Sequence, residues 1–403
     1  MRPIFISFIA LLIFSCHSEK KQDRLDFGRY RAELQITETE VLPFDFEVKD
    51  DNTIEIFNAE ELIVVDEIEY IKDSMIIRMP VFEGYFAAKF ENNELKGDFI
   101  VEGKDRSVPF TAKMNETRFD ETTEANVNIT GNWETVFSPN VKADEYKAKG
   151  IFTQEGNQVT GTFRTETGDY RFLEGIVNGN QLKLSTFDGS HAFLFTGTVS
   201  DSTINGTFYS GNHWKEPFTA KRNDAFELAD ANQLTYLKEG YDSIGFTFPD
   251  DNGSKVSLSD ARFKDKVVIV QIMGSWCPNC LDESNYYSAF YNANKEKGLE
   301  IVALAFEYAK TEKAAFDNIK RLKDRVGIDY PILLAQTGTT SKEKAQEKLP
   351  MLNHILSYPT TIFIDKKGVV RKIHTGFNGP ATGDKYIEFK TEFEAFVNEL
   401  LAE

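Results

Sequence analysis

Cysteine is scarce. The chain has 403 residues and only three cysteines, so no disulfide framework can hold it together and each cysteine can be assigned its own task. Histidine is nearly as rare, at five, and one Cys-x-x-Cys with scattered histidines supplies no evident four-ligand zinc set. Positive charge is in deficit: 46 Lys and Arg stand against 64 Asp and Glu, a net charge of −18. That balance excludes a phosphate-binding surface of the kind nucleic acid requires and otherwise reads as a solvated acidic exterior. The apolar run Ile4 to Phe14 is far short of the roughly 20 residues of a spanning helix. What is present is ordinary globular material, 41% hydrophobic and 27% charged, in a length that predicts two or three domains.

Arg2, the apolar run and Ser15-Cys16 have the n-region and h-region of a secretory signal. The segment Ile13-Phe14-Ser15-Cys16 resembles a bacterial lipobox, although Phe14 is bulkier than the usual residue there. The resemblance implies acylation of Cys16, a lipid anchor in the bacterial cell envelope, and a mature protein facing the periplasm or the outer surface. The alternative is an ordinary cleaved signal with an incidental cysteine, which leaves an odd free thiol in an oxidising compartment. Residues 1–16 are therefore read as signal and residues 17–26, polar and without apolar periodicity, as a flexible tether.

Residues 27–118 and 128–223 read as two copies of one β-rich unit. Gly97-Asp98-Phe99 running on to Pro109-Phe110-Thr111-Ala112-Lys113 matches Gly206-Thr207-Phe208 running on to Pro217-Phe218-Thr219-Ala220-Lys221. Each copy opens with a glycine two before an aromatic, Gly28-Arg29-Tyr30 and Gly131-Asn132-Trp133. Short period-2 runs separated by turn signals such as Glu155-Gly156-Asn157 predict an up-and-down meander curling into a barrel or sandwich, with about eight strands per copy. The pattern is similar to lipocalin-like barrels. Tyr209, His213 and Trp214 form a candidate ligand-binding surface, against the more common reading of strand aromatics as core. Residues 224–242, poor in apolar anchors, read as a linker.

From residue 243 to 403 the pattern changes to alternating strand and helix. Val267-Val268-Ile269-Val270-Gln271-Ile272 is the continuous apolar run of a strand buried on both faces. Gly274-Ser275-Trp276-Cys277-Pro278-Asn279-Cys280 follows at once, then a helix through Lys297. Further strands are expected at Leu299–Phe306, Ile332–Leu334, Thr361–Ile364 and Val369–Ile373, and helices at Thr311–Arg325, Ser341–Leu349 and along the C-terminus. This is an α/β sheet flanked by helices. A cysteine opening a helix meets its positive end and its unpaired N–H groups, which suits a thiolate nucleophile. A second cysteine one turn later is within bonding reach of it.

Trp-Cys-Pro-Asn-Cys between a buried strand and a helix, with Tyr358-Pro359-Thr360 before a later strand, resembles the thioredoxin superfamily, and within it the bacterial envelope thiol:disulfide oxidoreductases similar to TlpA and ResA. The resemblance covers 243–403 and implies an enzyme of thiol–disulfide exchange. Cys277 would attack a client disulfide and Cys280 would resolve the mixed disulfide. Trp276, Pro278, Tyr358, Pro359 and Thr360 would shape the client-binding surface, with Pro359 as the family's cis-proline. Glu283 matches the helix glutamate that envelope reductases place near their thiols, a candidate for proton transfer. Gln271 departs from thioredoxins, which keep a buried acid at that position. No metal and no cofactor beyond the Cys277–Cys280 pair is expected. The implied partners are envelope protein clients and a membrane thiol electron donor. Reduction is the favoured direction. An oxidase or isomerase, or a surface lipoprotein whose β-rich repeats bind a ligand, are the rival readings; a peroxidase would need a threonine before Cys277 that the sequence lacks.

Overall fold

The computed structural model describes residues 24–50, 52–91 and 94–403. The signal, the lipobox with Cys16 and most of the tether lie outside the described residues.

The first repeat is a nine-stranded antiparallel meander from Gly28–Gln35 to Arg106–Met114, in which the first strand pairs with both the second and the last. Its hydrogen-bonded sheet runs from Glu61–Val65 at one edge round to Glu67–Ile71 at the other. The second repeat closes completely. Gly131–Phe137 pairs with Tyr146–Glu155 and Trp214–Arg222, and Tyr146–Glu155 pairs with Gln158–Thr165, giving eight long strands plus the short strand Gly168–Asp169. The fold class read from the sequence holds, all-β repeats before a thioredoxin-like domain; the second repeat is a closed barrel and the first a barrel-like sheet with two edges. The shared glycine–phenylalanine signature has a common register, Gly97 opposite Phe110 and Gly206 opposite Phe218. A Cβ on Gly206 would meet the Phe218 ring at 2.5 Å, so the ring lies across the strand only because glycine is beneath it.

Alternation aims aromatics inward, and the second barrel is filled by them: Trp133, Phe137, Phe163, Phe195 and Phe218 are each at most 1% exposed. Filling side chains, not a ligand cavity, account for its interior. The two barrels also share a core. Phe187 of the second sits in the first, with its ring 4.5 Å from that of Phe44 and 5.0 Å from that of Phe99. The Phe187 peptide is held on both sides by Asn58, whose Nδ2 donates to the carbonyl at 2.9 Å and whose Oδ1 accepts from the N–H at 3.1 Å. Tyr209 joins this shared core, Trp214 is 49% exposed, and His213 faces a small cavity with Lys104 and Arg106. The proposed surface of Tyr209, His213 and Trp214 is thus dispersed, because alternation sends Tyr209 to the face where the barrels abut.

The last domain contains strands β1 (Val267–Met273), β2 (Leu299–Phe306), β3 (Ile332–Gln336), β4 (Thr360–Ile364) and β5 (Val370–Thr375). They lie in the order β3-β2-β1-β4-β5, the first three parallel and the last two antiparallel to their neighbours. Every residue of β1 is buried. Helices α1 (Pro278–Asn294), α2 (Glu312–Val326), α3 (Lys342–Lys348) and α4 (Asp384–Ala402) flank the sheet. Thr311 caps α2 by accepting from the Ala314 N–H, and Gly327 ends it in the left-handed region, as the caps in the sequence require. The linker is more ordered than its composition predicts. It carries the short helix Ala231–Leu234, bridges Leu237 to Leu352, and Val370 N donates to the Asp242 carbonyl at 2.8 Å. Backbone pairing there replaces the apolar anchors the segment lacks.

Phe187→Ala should cost about 3–5 kcal/mol and, because the ring fills the neighbouring barrel, should destabilise both barrels in one transition. Chemical denaturation followed both by far-UV circular dichroism and by tryptophan fluorescence checks this, and a loss under about 1 kcal/mol would mean the shared core carries little.

Candidate active site

β1 ends at Met273, and the turn through Trp276 delivers Cys277 to the N-cap of α1, with Pro278 in the first helical turn. Proline suits that position because it lacks the N–H that would otherwise be unpaired. Both cysteines are free thiols. Cys277 Sγ accepts the N–H of Cys280 at 3.2 Å, and its thiol faces the Tyr358 carbonyl at 3.5 Å. The helix N-terminus favours negative charge on that sulfur. Cys277 keeps 6% exposure and Cys280 none. Burial pushes the Cys280 thiol well above its usual pKa, and the neighbouring Cys277 sulfur and Glu283 add to it.

The Tyr358–Pro359 peptide is cis, as the resemblance implied. Tyr358 lines the cleft in front of Cys277. Pro359 and Thr360 are buried, and the Thr360 hydroxyl is spent on the Ser357 carbonyl at 2.8 Å. Thr360 is therefore corrected from the client surface to the interior, since the first residue of a central strand points its side chain into the sheet's packing. Trp276 is half-buried, with its indole N–H on the Phe306 carbonyl at 3.0 Å and its ring edge-on to Tyr358 at 5.7 Å. Pro278 is buried, and its carbonyl accepts from Arg171 at 3.4 Å.

Glu283 lies fully inside the domain. Its carboxyl accepts from Gln271 Nε2 at 2.8 Å, Thr361 Oγ1 at 2.9 Å and the Tyr287 hydroxyl at 3.1 Å. All three donors are neutral. Burial therefore outweighs them and pushes the Glu283 pKa up to about 7. Gln271, which replaces the acid of thioredoxins, thus serves as a donor to Glu283 rather than as a proton carrier.

A second buried acid was not found from sequence. Glu307 follows the end of β2, and its two oxygens accept from the Ser275 N–H and hydroxyl, each at 2.8 Å. Burial raises its pKa to about 7 as well. The available signal was positional: sites in such sheets gather at the carboxyl ends of parallel strands.

The second barrel reaches the thiols. Asn279 Nδ2 donates to the Asp169 carbonyl at 3.3 Å, Ser357 Oγ to the Thr167 carbonyl at 2.7 Å, and Ser190 Oγ to the Trp276 carbonyl at 3.0 Å. Arg171 binds Asp282 of α1, Glu61 of the first barrel and, at 3.6 Å, Asp188. Between barrel and redox domain lies a cleft of about 660 Å³ into which Cys277 opens. None of these barrel residues carried a sequence signal, because each acts only through a contact across domains. Among the described residues no group of histidines, cysteines or acids is arranged to hold a metal ion.

Glu283, Glu307 and Asp282 each have a pKa pushed to about 7, with burial the largest cause in all three. In the unfolded chain such groups titrate near about 4, so the folded protein binds more protons between those values. Stability is then greatest at low pH within this window and is lost as pH rises through about 7. Thermal unfolding from pH 5 to pH 8 should show a falling Tm, and Glu283→Gln should remove about 3 kcal/mol of the loss. An unchanged slope in the variant would refute the assignment.

The Redoxin family model matches residues 240–387. Thioredoxin-like protein YneN of Bacillus subtilis (strain 168) is 28% identical over 140 residues, covering 35% of this chain and 73% of YneN. Thiol-disulfide oxidoreductase ResA of the same strain is 31% identical over 142 residues, covering 35% of this chain and 69% of ResA. ResA of Geobacillus kaustophilus is 28% identical over 144 residues, covering 36% of this chain and 73% of that protein. The barrels precede the matched Redoxin segment. With a Cys-x-x-Cys on the helix that follows the central strand, and ResA matched over more than two thirds of its length, the chain belongs to the ResA-like thiol:disulfide oxidoreductases of the thioredoxin superfamily.

Proposed function

We propose that the protein is a disulfide reductase of envelope proteins, held at a bacterial membrane by acylation of Cys16 and recharged by a membrane thiol donor. The Cys277 thiolate attacks one sulfur of a client disulfide; the S–S bond breaks and the other client sulfur leaves as a thiolate. Cys280 then gives up its proton and attacks Cys277 Sγ in the mixed disulfide. The second client sulfur leaves, and the enzyme holds a Cys277–Cys280 disulfide while the client is a dithiol. Glu283 accepts the Cys280 proton during resolution and returns one on recharging. No cofactor beyond the cysteine pair takes part.

The observation that carries this reading is the asymmetry of the two sulfurs. One opens into a cleft at a helix N-terminus, and the other is sealed beside a carboxyl group. The same asymmetry supports the direction. A strong oxidant of this class has a stabilised reduced form. Here burial and Glu283 keep Cys280 a neutral thiol, so no stabilised thiolate at that position favours the dithiol form. The N-terminal signal and lipobox support the location.

The test is the reduction potential of the pair in the full-length protein, equilibrated in graded thiol/disulfide buffers and read by mass spectrometry of alkylated thiols. A value near about −270 mV is expected, and one near about −120 mV would make the protein an oxidant of secreted thiols. In the same assay format, Cys280→Ser should accumulate a client mixed disulfide through Cys277, and Cys277→Ser should form none.

A further inference from the structure

The cleft in front of Cys277 has one wall that belongs to no thioredoxin-like domain. Tyr146, Tyr170, His191 and Phe193 of the second barrel face it, opposite Trp276, Cys277 and Tyr358. These four side chains form one continuous surface. The Tyr146 and Tyr170 hydroxyls are hydrogen-bonded at 2.5 Å, the Tyr170 ring packs edge-on to Phe193 at 5.2 Å, and His191 stacks on Phe193 at 4.3 Å. The first three are half-buried, so their remaining surface is turned to the cleft.

The wall is pinned. Contacts from Thr167, Asp169 and Ser190 meet the redox domain at Ser357, Asn279 and Trp276, the last two flanking Cys277 in the chain and the first preceding the cis-proline turn. A Cβ at Gly168 would collide with the Asn279 side chain, which places the barrel backbone directly against the Cys-x-x-Cys turn. A client therefore meets Cys277 inside a bounded space, and a cleft of about 660 Å³ is of the size that takes a ligand or a short peptide segment rather than a folded surface.

We propose that this rim of the second barrel is a client-binding subsite: it takes an apolar or aromatic side chain flanking the reactive cysteine of an extended polypeptide segment. Aromatic walls gain most from burying another ring, by area and by edge-on packing. The barrel thus selects clients by the residues beside their cysteines, and Tyr170 and His191 determine specificity without touching the reacting sulfurs. The inference rests on Cys277 being the attacking thiol.

The test uses the full chain in its dithiol form. Two synthetic peptides each carry a single cysteine held as a mixed disulfide with 2-mercaptoethanol, and they differ only in having Phe or Gly on either side of that cysteine. Reduction yields the peptide thiol, 2-mercaptoethanol and the Cys277–Cys280 disulfide, and the second-order rate constant of this single turnover is read by acid quench and mass spectrometry. Each protein's rates are divided by its own rate on bis(2-hydroxyethyl) disulfide, which has no side chain to place. The wild type should prefer the Phe peptide by about tenfold. Tyr170→Ala and His191→Ala should each bring that ratio within about twofold of unity, and Tyr170→Phe should retain it. His191 is on the half-exposed rim, so its variant tests the idea even if the Tyr170→Ala barrel fails to fold. A wild-type ratio near one, or ratios unchanged in the alanine variants, would overturn the subsite. Failure of the wild type to reduce bis(2-hydroxyethyl) disulfide at all would instead overturn the assignment of Cys277.

Discussion

Arg171 reaches three carboxylates from three parts of the chain: Glu61 in the first barrel, Asp188 in a loop of the second, and Asp282 in α1. Its own backbone sits in the left-handed region at φ 62°, and its N–H donates to Asp169 Oδ1 at 2.8 Å, a local turn of the kind aspartate side chains favour. A guanidinium is suited to such a post because it stays charged and presents several donors in a fixed fork. Asp188 also has His191 at 3.2 Å and its pKa is lowered, which leaves Glu61 and Asp282 to share the single guanidinium with it. Burial accordingly outweighs the pull of Arg171 on Asp282 and on Glu61, and both carboxyls are raised. The cluster is thus an interface that is fully held together only when some of its acids keep their protons, and it lies one residue from Glu283 and two from Cys280.

Around the thiols the same chemistry recurs without the cation. Glu283 and Glu307 are each buried and each satisfied by neutral donors alone. Hydrogen bonds from hydroxyls and amides hold a carboxyl group in place but do not compensate for lost hydration of its charge. That leaves two groups able to change protonation near neutral pH, one behind Cys280 and one behind the turn that carries Ser275 and Trp276. An arginine at either position would lock the charge on and remove that freedom.

The barrels are scaffolds whose rims face the chemistry. Their interiors are filled with phenylalanine, and Phe187 joins the two barrels through a shared core. Loops at the end of the second barrel, residues 165–170 and 188–191, then do what loops on a rigid scaffold commonly do and carry the contacts to the site.

Local patterns in the sequence were enough for a great deal. The buried strand, the helix cap and the four-residue Cys-x-x-Cys spacing are all short-range features, so Val267 to Cys280 could be read as a redox turn without a structure. The repeat signature at Gly97–Phe110 and Gly206–Phe218 was legible because strand register repeats its residue types, and Glu283 stood out through the resemblance to envelope reductases, which place a helix glutamate there. Thr360 was misplaced because the chain's direction at a strand start does not follow from the residues beside it. Arg171, Glu307 and the aromatic rim were invisible for a stronger reason. Arg171 meets Glu61 and Asp282 across separations of 110 and 111 residues, and such pairs leave no periodicity in the chain. Sequence alone therefore determined where the Cys277–Cys280 pair sits, between a buried strand and a helix. Only the tertiary structure decided which acids are sealed beside them and which barrel wall faces Cys277, because burial and long-range contact set both.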